Sequence, residues 1–258
     1  MRTPIRITLL AALAVSPAAL AGFTGLTISR QIEAGALLAD ATTTQDFREK
    51  LNFAPGVWAD MVQANIARDS MTVDSRSSQS TRVTSTRFDG TSHLTQFDRT
   101  VNTATGRSTG SSEFLVHFNI HNFVDFSYSY DFFINMEAGD TRQAHAQILL
   151  LRLDDSAVFL SEQISAGRVT RGGTLTLQPA RYAFLVESAM LIENHGPEMH
   201  DGSIVTSFDF KMVPAPGAAT LAGLFVLAAS RRAGEGDRPR STPFRAFAAR
   251  AQLTAVRA

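Results

Sequence analysis

Residues 213–232 constrain this chain more than any other stretch. Val213-Pro-Ala-Pro-Gly217 opens a run without charge from Ala218 to Ser230, and the run closes on Arg231-Arg232. A bilayer core of about 30 Å needs about 20 helical residues, with about 17 as the lower bound. Val213–Ser230 meets that bound. Pro214 and Pro216 hold the backbone extended and keep the residues before them out of the helical region, so a helix begins near Gly217 or Ala218. A buried core helix is the competing reading, but such helices carry a polar face. Beyond the run, Arg231, Arg232, Arg238, Arg240 and Arg245 outweigh Glu235 and Asp237. Arginine beside a span favours the cytoplasmic side, which puts the body of the chain outside the inner membrane.

The other end agrees. Arg2 and Arg6 precede the apolar stretch Ile7–Val15, and Ala19-Leu20-Ala21 offers small residues where a signal peptidase reads them. That core is too short for a stable span, so cleavage after Ala21 is expected, with Gly22 as the new N-terminus. The chain therefore divides into a signal peptide (1–21), an exported domain (22–212), a sorting segment (213–232) and a basic cytoplasmic tail (233–258).

This combination resembles the PEP-CTERM class of exported bacterial proteins, in the variant with a Pro-x-Pro-Gly-Ala core, here Pro214-Ala215-Pro216-Gly217-Ala218. The same tail also goes by the name of an ice-binding protein C-terminal motif, which implies sorting and no ice-binding surface. The resemblance implies that an exosortase-like enzyme cuts at the motif, with Arg231 and Arg232 as the stop-transfer signal. The chain would be held in the inner membrane only transiently, C-terminus inside, before reaching the envelope or the exterior. Two departures stand out. Ala215 replaces the glutamate of the family name, and residues 233–258 run on past the arginines, with Arg238-Pro-Arg-Ser-Thr-Pro243 and Phe244-Arg-Ala-Phe-Ala-Ala-Arg250. The basic extension reads as an unstructured remnant or as a tail touching anionic lipid.

Residues 22–212 suit one β domain with a sizeable core. The 24 basic and 24 acidic side chains of the whole chain balance. The exported part lacks a basic stripe with interleaved aromatics, which excludes nucleic acid as a partner. With no cysteine, disulfides and thiol chemistry are excluded and packing must hold the fold.

Period-two alternation organises the body. Phe114, Val116, Phe118 and Ile120 alternate with Glu113, His117 and Asn119, and His121-Asn122 breaks the pattern. Phe126, Tyr128, Tyr130, Phe132 and Ile134 then alternate with Ser127, Ser129 and Asp131. The two segments are expected to be antiparallel neighbours. Ala144–Leu153 is apolar enough for a central strand, and Thr206, Phe208, Phe210 and Met212 mark the last one. Thr174–Leu177, a turn at Gln178-Pro-Ala-Arg181, and Tyr182, Phe184 and Val186 resemble the penultimate hairpin of exported jelly-roll domains with this tail. One helical cue appears, Thr43–Leu51, with Thr43 as a cap and Phe47 and Leu51 four apart. Asp69–Ser112 is rich in serine and threonine and reads as wet edge strands and loops, or else as a glycosylated or glycan-facing surface. The fold class that follows is all-β, an antiparallel, jelly-roll-like β-sandwich with a cleavable signal peptide and a single C-terminal transmembrane helix.

Candidate chemistry is sparse. His117 and His121 are four apart, which on a strand separates them by about 13 Å, too far for one ion. His195, Glu198, His200 and Asp201 could gather in a loop, yet solvated turn residues explain them as well. A glycosidase pair could be drawn from Asp125, Asp131, Glu187 or Asp209, all outward on alternating strands. No nucleophile elbow or phosphate loop is present, and Trp58 serves the core before a sugar. The sequence thus assigns no catalytic residue, metal or cofactor. It points to an exported envelope or matrix protein with a structural or adhesive role, whose partners are signal peptidase, an exosortase-like enzyme and the membrane. A carbohydrate-binding module of the same fold is the alternative, and a metal-dependent hydrolase built on His195 and His200 is a third reading.

Overall fold

A computed structural model describes residues 22–101, 103–136 and 142–213. Ala19, Ala21, the motif beyond Val213, Arg231 and Arg232 lie outside them, as does the expected transmembrane helix. The described residues form twelve strands and no helix: β1 (Thr24–Ala39), β2 (Thr43–Asn52), β3 (Gly56–Arg68), β4 (Met71–Val83), β5 (Arg87–Arg99), β6 (Thr105–Ile120), β7 (Val124–Met136), β8 (Arg142–Arg152), β9 (Val158–Ile164), β10 (Gly167–Leu177), β11 (Ala180–His195) and β12 (Met199–Met212).

They pair antiparallel in two six-stranded sheets, β2-β1-β6-β11-β8-β9 (sheet A) and β10-β7-β12-β5-β4-β3 (sheet B). The expected sandwich is present. Its last eight strands are nested: β8 pairs with β9, β7 with β10, β6 with β11 and β5 with β12. Folding such a nested set over itself is the winding of a jelly roll. β1 and β2 extend sheet A beyond β6, while β4 and β3 extend sheet B beyond β5.

The nesting corrects both expected hairpins. β6 and β7 lie in opposite sheets, and so do β10 and β11, so His121–Phe123 and Gln178–Pro179 are arches over the core. Alternation correctly marks one wet face on each strand but is blind to which sheet the strand joins. Arg171-Gly-Gly173 lies inside β10 and pairs with β7. The helical cue at Thr43–Leu51 is also overturned, since this stretch is β2 and pairs with β1 from Ala39↔Thr43 to Arg30↔Asn52. A lone helical turn gains one hydrogen bond for several fixed dihedrals, whereas the ladder satisfies the backbone residue by residue.

The serine- and threonine-rich segment holds the largest correction. It forms β4, β5 and half of β6, all interior strands, and every second side chain of it faces inward. Ser75, Ser77, Gln79, Ser92, Gln96, Ser108 and Ser112 are buried between the sheets. From sheet B, Ser75 Oγ donates to the Thr109 carbonyl at 2.5 Å, Ser77 Oγ to that of Glu33, Gln79 Nε2 to Glu113 at 3.0 Å and Gln96 Nε2 to Met190 at 2.8 Å. Ser92 reaches Thr206 at 2.7 Å and Ser188 at 3.2 Å. Small side chains let the sheets approach, and Gly110 is one point of close approach. A Cβ there would sit 2.9 Å from Ser77 Oγ and 3.1 Å from Gln96 Nε2.

This polar seam divides the interior. On one side is a phenylalanine cluster, with Phe23 stacked on Phe88 at 4.1 Å and Phe126 on Phe210 at 4.8 Å. On the other is a smaller cluster of Ile32, Ala34, Ala36, Leu38, Val62, Ala64 and Ile66 from β1 and β3. Trp58 packs against it, the structural use expected. Arg30, fully buried, lies over Phe114 and donates from Nη1 to Asn52 Oδ1 and the Ala54 carbonyl and from Nη2 to the Gly56 carbonyl at 2.9 Å. It ties the Ala54 and Gly56 carbonyls, at the β2–β3 connection, to β1.

Asp98, at the far end of β5, is fully buried and neither carboxylate oxygen has a partner among the described residues. It rests on Gly106, where a Cβ would overlap it. Burial raises its pKa from 3.8 to about 7. Its stabilising contribution is therefore complete below about pH 4 and lost as pH rises toward 7, at about 1.4 kcal/mol per pH unit. Asp98→Asn should abolish this slope and raise stability at pH 8, read by denaturant unfolding at pH 4, 6 and 8. An unchanged slope would place the burial cost elsewhere.

Candidate functional site

The outer face of sheet B carries a hollow of about 420 Å³. Registers show how five strands build it. Ser80, Thr91, Ser207, Asp131 and Thr170 stand side by side from β4 to β10 and form a floor of short side chains. On one side runs the row Arg82, Asp89, Asp209 and Ser129, and on the other His93, Val205, Phe133 and Arg168. The result is a trough crossing the strands. Four inter-strand spacings make it roughly 19 Å long.

One wall is a charge lattice. Arg82 Nε donates to Asp89 at 2.9 Å, Arg87 Nε lies 3.0 Å from Asp89 and donates to Asp209 at 2.8 Å, and Lys211 approaches Asp209 at 3.7 Å. At the far end Arg168 donates twice to Asp131, at 2.9 and 2.6 Å, and Thr170 Oγ1 donates at 2.7 Å. The Arg168 and Thr170 hydrogen bonds hold the Asp131 carboxyl below its usual range. The row on the other side of the floor lies outside the hollow's lining and is part apolar, with Phe133 40% and Val205 39% exposed. The hollow thus offers fixed hydrogen-bonding groups and a floor of short polar side chains, with an aromatic ring in the neighbouring row.

Sheet A has a smaller hollow of about 260 Å³ on its own outer face, lined by Glu33, Thr109, Ser111, Gln143, His145 and Leu191. Beside it Glu113 and Glu187 stand directly opposite on β6 and β11. Gln147 Nε2 donates to Glu187 at 2.5 Å, and His145 lies 3.6 Å away. Burial, then Glu187 and Glu33, raises the Glu113 carboxyl.

The sequence candidates scatter. Asp131 and Asp209 do share the sheet B trough, whereas Glu187 is on sheet A, and Asp125 accepts from Thr176 at the end of the sandwich. His117 is exposed on β6, while His121, in the arch, meets Thr24 Oγ1 at 2.7 Å. His195 faces outward, 3.3 Å from Thr105 and 3.6 Å from Glu193. His200 points inward with Glu198 at 3.0 Å and the Arg142 guanidinium against its ring. The two imidazoles take separate partners, on β11 of sheet A and β12 of sheet B. Among the described residues no three His, Asp or Glu side chains gather in a way that could hold a metal ion. Sequence reasoning missed the trough itself. Its signal was present in the outward small residues Ser80, Thr91, Ser129 and Ser207, but those meet only once the strand order is known.

No family model matches the chain, and no curated protein does. Among solved structures it is similar to a CBM4 module, at 12% identity and a TM-score of 0.20, over 49% of this chain and 73% of that one. It is also similar to the CBM22-1 xylan-binding domain of Paenibacillus barcinonensis Xyn10C, at 12% identity and a TM-score of 0.21, over 63% and 99%. A structure of the infectious bursal disease virus Gt strain overlaps at 11% identity and a TM-score of 0.18, over 83% and 75%. Likeness at that level says nothing of ligand or activity.

With no metal-binding cluster gathered at His195 and His200 among the described residues, zinc should not stabilise the fold, and stoichiometric zinc should leave the unfolding midpoint within about 1 °C. A rise of several degrees in calorimetry would show that the imidazoles meet.

Proposed function

We propose that the protein is exported and presented at the cell envelope as a non-enzymatic, structural or adhesive β-sandwich that holds polysaccharide in the trough of sheet B. The trough is the observation that carries this reading. Sugars present hydroxyls around a ring edge and a less polar ring face, and the hollow presents a lattice of carboxylates and guanidinia with Phe133 in the neighbouring row of the same face. Ion pairs that fix those groups in advance reduce the ordering cost of binding. A length of roughly 19 Å suits a short run of sugar units lying across the strands.

The charge state of the trough favours binding over catalysis. Glycoside hydrolysis needs one carboxyl kept protonated near neutral pH. Asp89, Asp131 and Asp209 each sit against a cation, and Asp131 is shifted the other way. The raised carboxyl of Asp98 is enclosed between the sheets.

Delivery rests on the ends of the chain. The order of Pro214-Ala-Pro-Gly217, apolar run and arginines supports sorting through a membrane-inserted intermediate. β12 ends at Met212, and Val213 N still donates to the Asp125 carbonyl at 2.8 Å. The motif begins where the sheet ends.

Glycan-array screening of the purified chain, followed by titration, tests the binding. Phe133→Ala should weaken the best polysaccharide about tenfold, equivalent to about 1.4 kcal/mol. Ser207→Tyr, which fills the floor, should abolish binding while circular dichroism stays unchanged. No signal above background, or full affinity in Ser207→Tyr, refutes the reading. For delivery, Pro214→Ala with Pro216→Ala should leave an unprocessed inner-membrane form on immunoblots of fractionated cells. Normal processing of that variant would remove the sorting role.

A further inference from the structure

Four strands flank the two sheets, β2 and β9 in sheet A and β10 and β3 in sheet B. A flanking strand presents a row of backbone N–H and C=O groups to which another chain can pair, and proteins blunt such rows with charge, bulges or short strands. Three of the four are blunted. Lys50 and Asp46 of β2 bind Asp60 and the Asn65 backbone N–H of β3, which ties those two edges to each other. β9 has seven residues and a register shift against β8 between Leu150 and Leu151. β10 differs. Gly167–Leu177 pair with β7 in unbroken register over eleven residues without a proline, and the outer edge of β10 meets no other strand among the described residues. Its two charges are turned to its own chain, Arg168 to Asp131 and Arg171 toward Glu162 at 3.9 Å.

We propose that β10 pairs antiparallel with β10 of a second copy about a two-fold axis at Gly172, joining the two B sheets edge to edge. Gly172 is the midpoint of β10, and the strand is complementary to its own reverse about that point. On the inner face Val169 meets Leu175 and Arg171 meets Gly173. On the outer face Thr170 meets Thr174, Arg168 meets Thr176 and Gly172 meets itself. Apolar and threonine pairs stabilise such a ladder, whereas like charges set opposite each other weaken it. Centring the pair on Arg171 would set two arginines face to face. Centring it on Gly173 would put Arg171 against Leu175 and leave Gly167 and Arg168 without a strand partner. A two-fold interface needs one surface to serve both copies, and the Gly172 register provides it with about ten backbone hydrogen bonds.

The glycines make room for the arginine. A Cβ on Gly173 would lie 3.0 Å from Tyr128 Oη and 3.1 Å from its Cζ, so the tyrosine ring flanks this position. Arg171 of the second copy arrives opposite Gly173 and meets that ring, a favourable place for a guanidinium. The two Arg171 side chains become diagonal neighbours, and each keeps Glu162 as its counter-charge. The row Arg82, Asp89, Asp209 and Ser129 runs on to Gly172, so pairing carries it through the axis into its copy. The pairing stands on the edge alone, independent of what the trough holds, and it sets two troughs on one continuous face. One strand pair is a small interface, which makes the dimer weak and dependent on concentration.

The chain has no cysteine, so disulfide cross-linking reads the register. The full chain is oxidised at high concentration in detergent micelles, and covalent dimer is measured on non-reducing gels. Opposed residues lie about 4.5–5.5 Å apart between Cα atoms, within disulfide reach. Gly172→Cys should therefore cross-link to itself. Thr174→Cys should not, because its own copy is four residues off, roughly 13 Å away. Thr170→Cys mixed with Thr174→Cys should give about tenfold more dimer than either alone. Thr170→Lys with Thr174→Lys opposes lysine to lysine twice and should cut the Gly172→Cys dimer about tenfold, with circular dichroism unchanged. Equal cross-linking of Gly172→Cys and Thr174→Cys, as association through residues 213–232 would give, overturns the pairing. A mixture of the 170 and 174 variants that stays monomeric also overturns it. Dimer in that mixture supports the pairing even where Gly172→Cys, whose Cβ comes 3.2 Å from the Tyr128 carbonyl, fails to fold.

Discussion

The close approach of the two sheets along the polar seam is the constraint on which the rest of this molecule depends. Apolar side chains alone would hold the sheets together, but such contacts are non-directional and tolerate sliding. Ser75, Ser77, Gln79 and Gln96 instead donate across the gap to carbonyls of the opposite sheet. Each bond has a preferred geometry, and a buried donor left without it costs about 1–3 kcal/mol. The seam therefore fixes the relative position of the sheets while the phenylalanine and alanine clusters on its flanks supply the burial. Gly110 belongs to the same device, because a side chain there would push Ser77 and Gln96 out of range.

Once the sheets are fixed, the outer faces become reliable platforms. The trough of sheet B draws its floor from β4, β5, β12, β7 and β10, five strands spread between Met71 and Met212. Any slip of one strand would turn a floor residue inward and break the row. The open side of the sandwich is closed by charge instead of a ladder. Lys50 of β2 pairs with Asp60 of β3, and Asp46 accepts from the backbone of Asn65. Inward charges of this kind also blunt an edge strand against pairing with another chain.

Legibility in the sequence followed the range of the interaction. The alternation in Phe126–Ile134, Phe114–Ile120 and Thr206–Met212 is local, and the strands lie where it places them. The two arches were misread as hairpins because a turn residue looks the same whether the chain doubles back in its own sheet or crosses to the other. The serine-rich strands were misread for a different reason. Hydrophilicity ordinarily means solvent, but here the hydroxyls meet partners on strands 34 or more positions away, such as Thr109 for Ser75 and Met190 for Gln96. The cue at Thr43–Leu51 failed because the ladder to β1 supplies hydrogen bonds that a single helical turn cannot match.

What the sequence determined by itself was the class of the molecule: a cysteine-free chain of half-buried strands, neutral in net charge, with a Pro-rich motif ahead of an apolar run. Each of those properties is written in composition, in period two, or in a few contiguous residues. Only the tertiary structure decided that the hydroxyl-rich strands line the interior, that Asp131 and Asp209 share a trough while His195 and His200 take separate partners, and that the chain crosses between sheets after β6 and β10. These are properties of strand order. Nesting brings residues such as Ser80 and Thr170 into one row across long stretches of chain, and no local pattern records that neighbourhood.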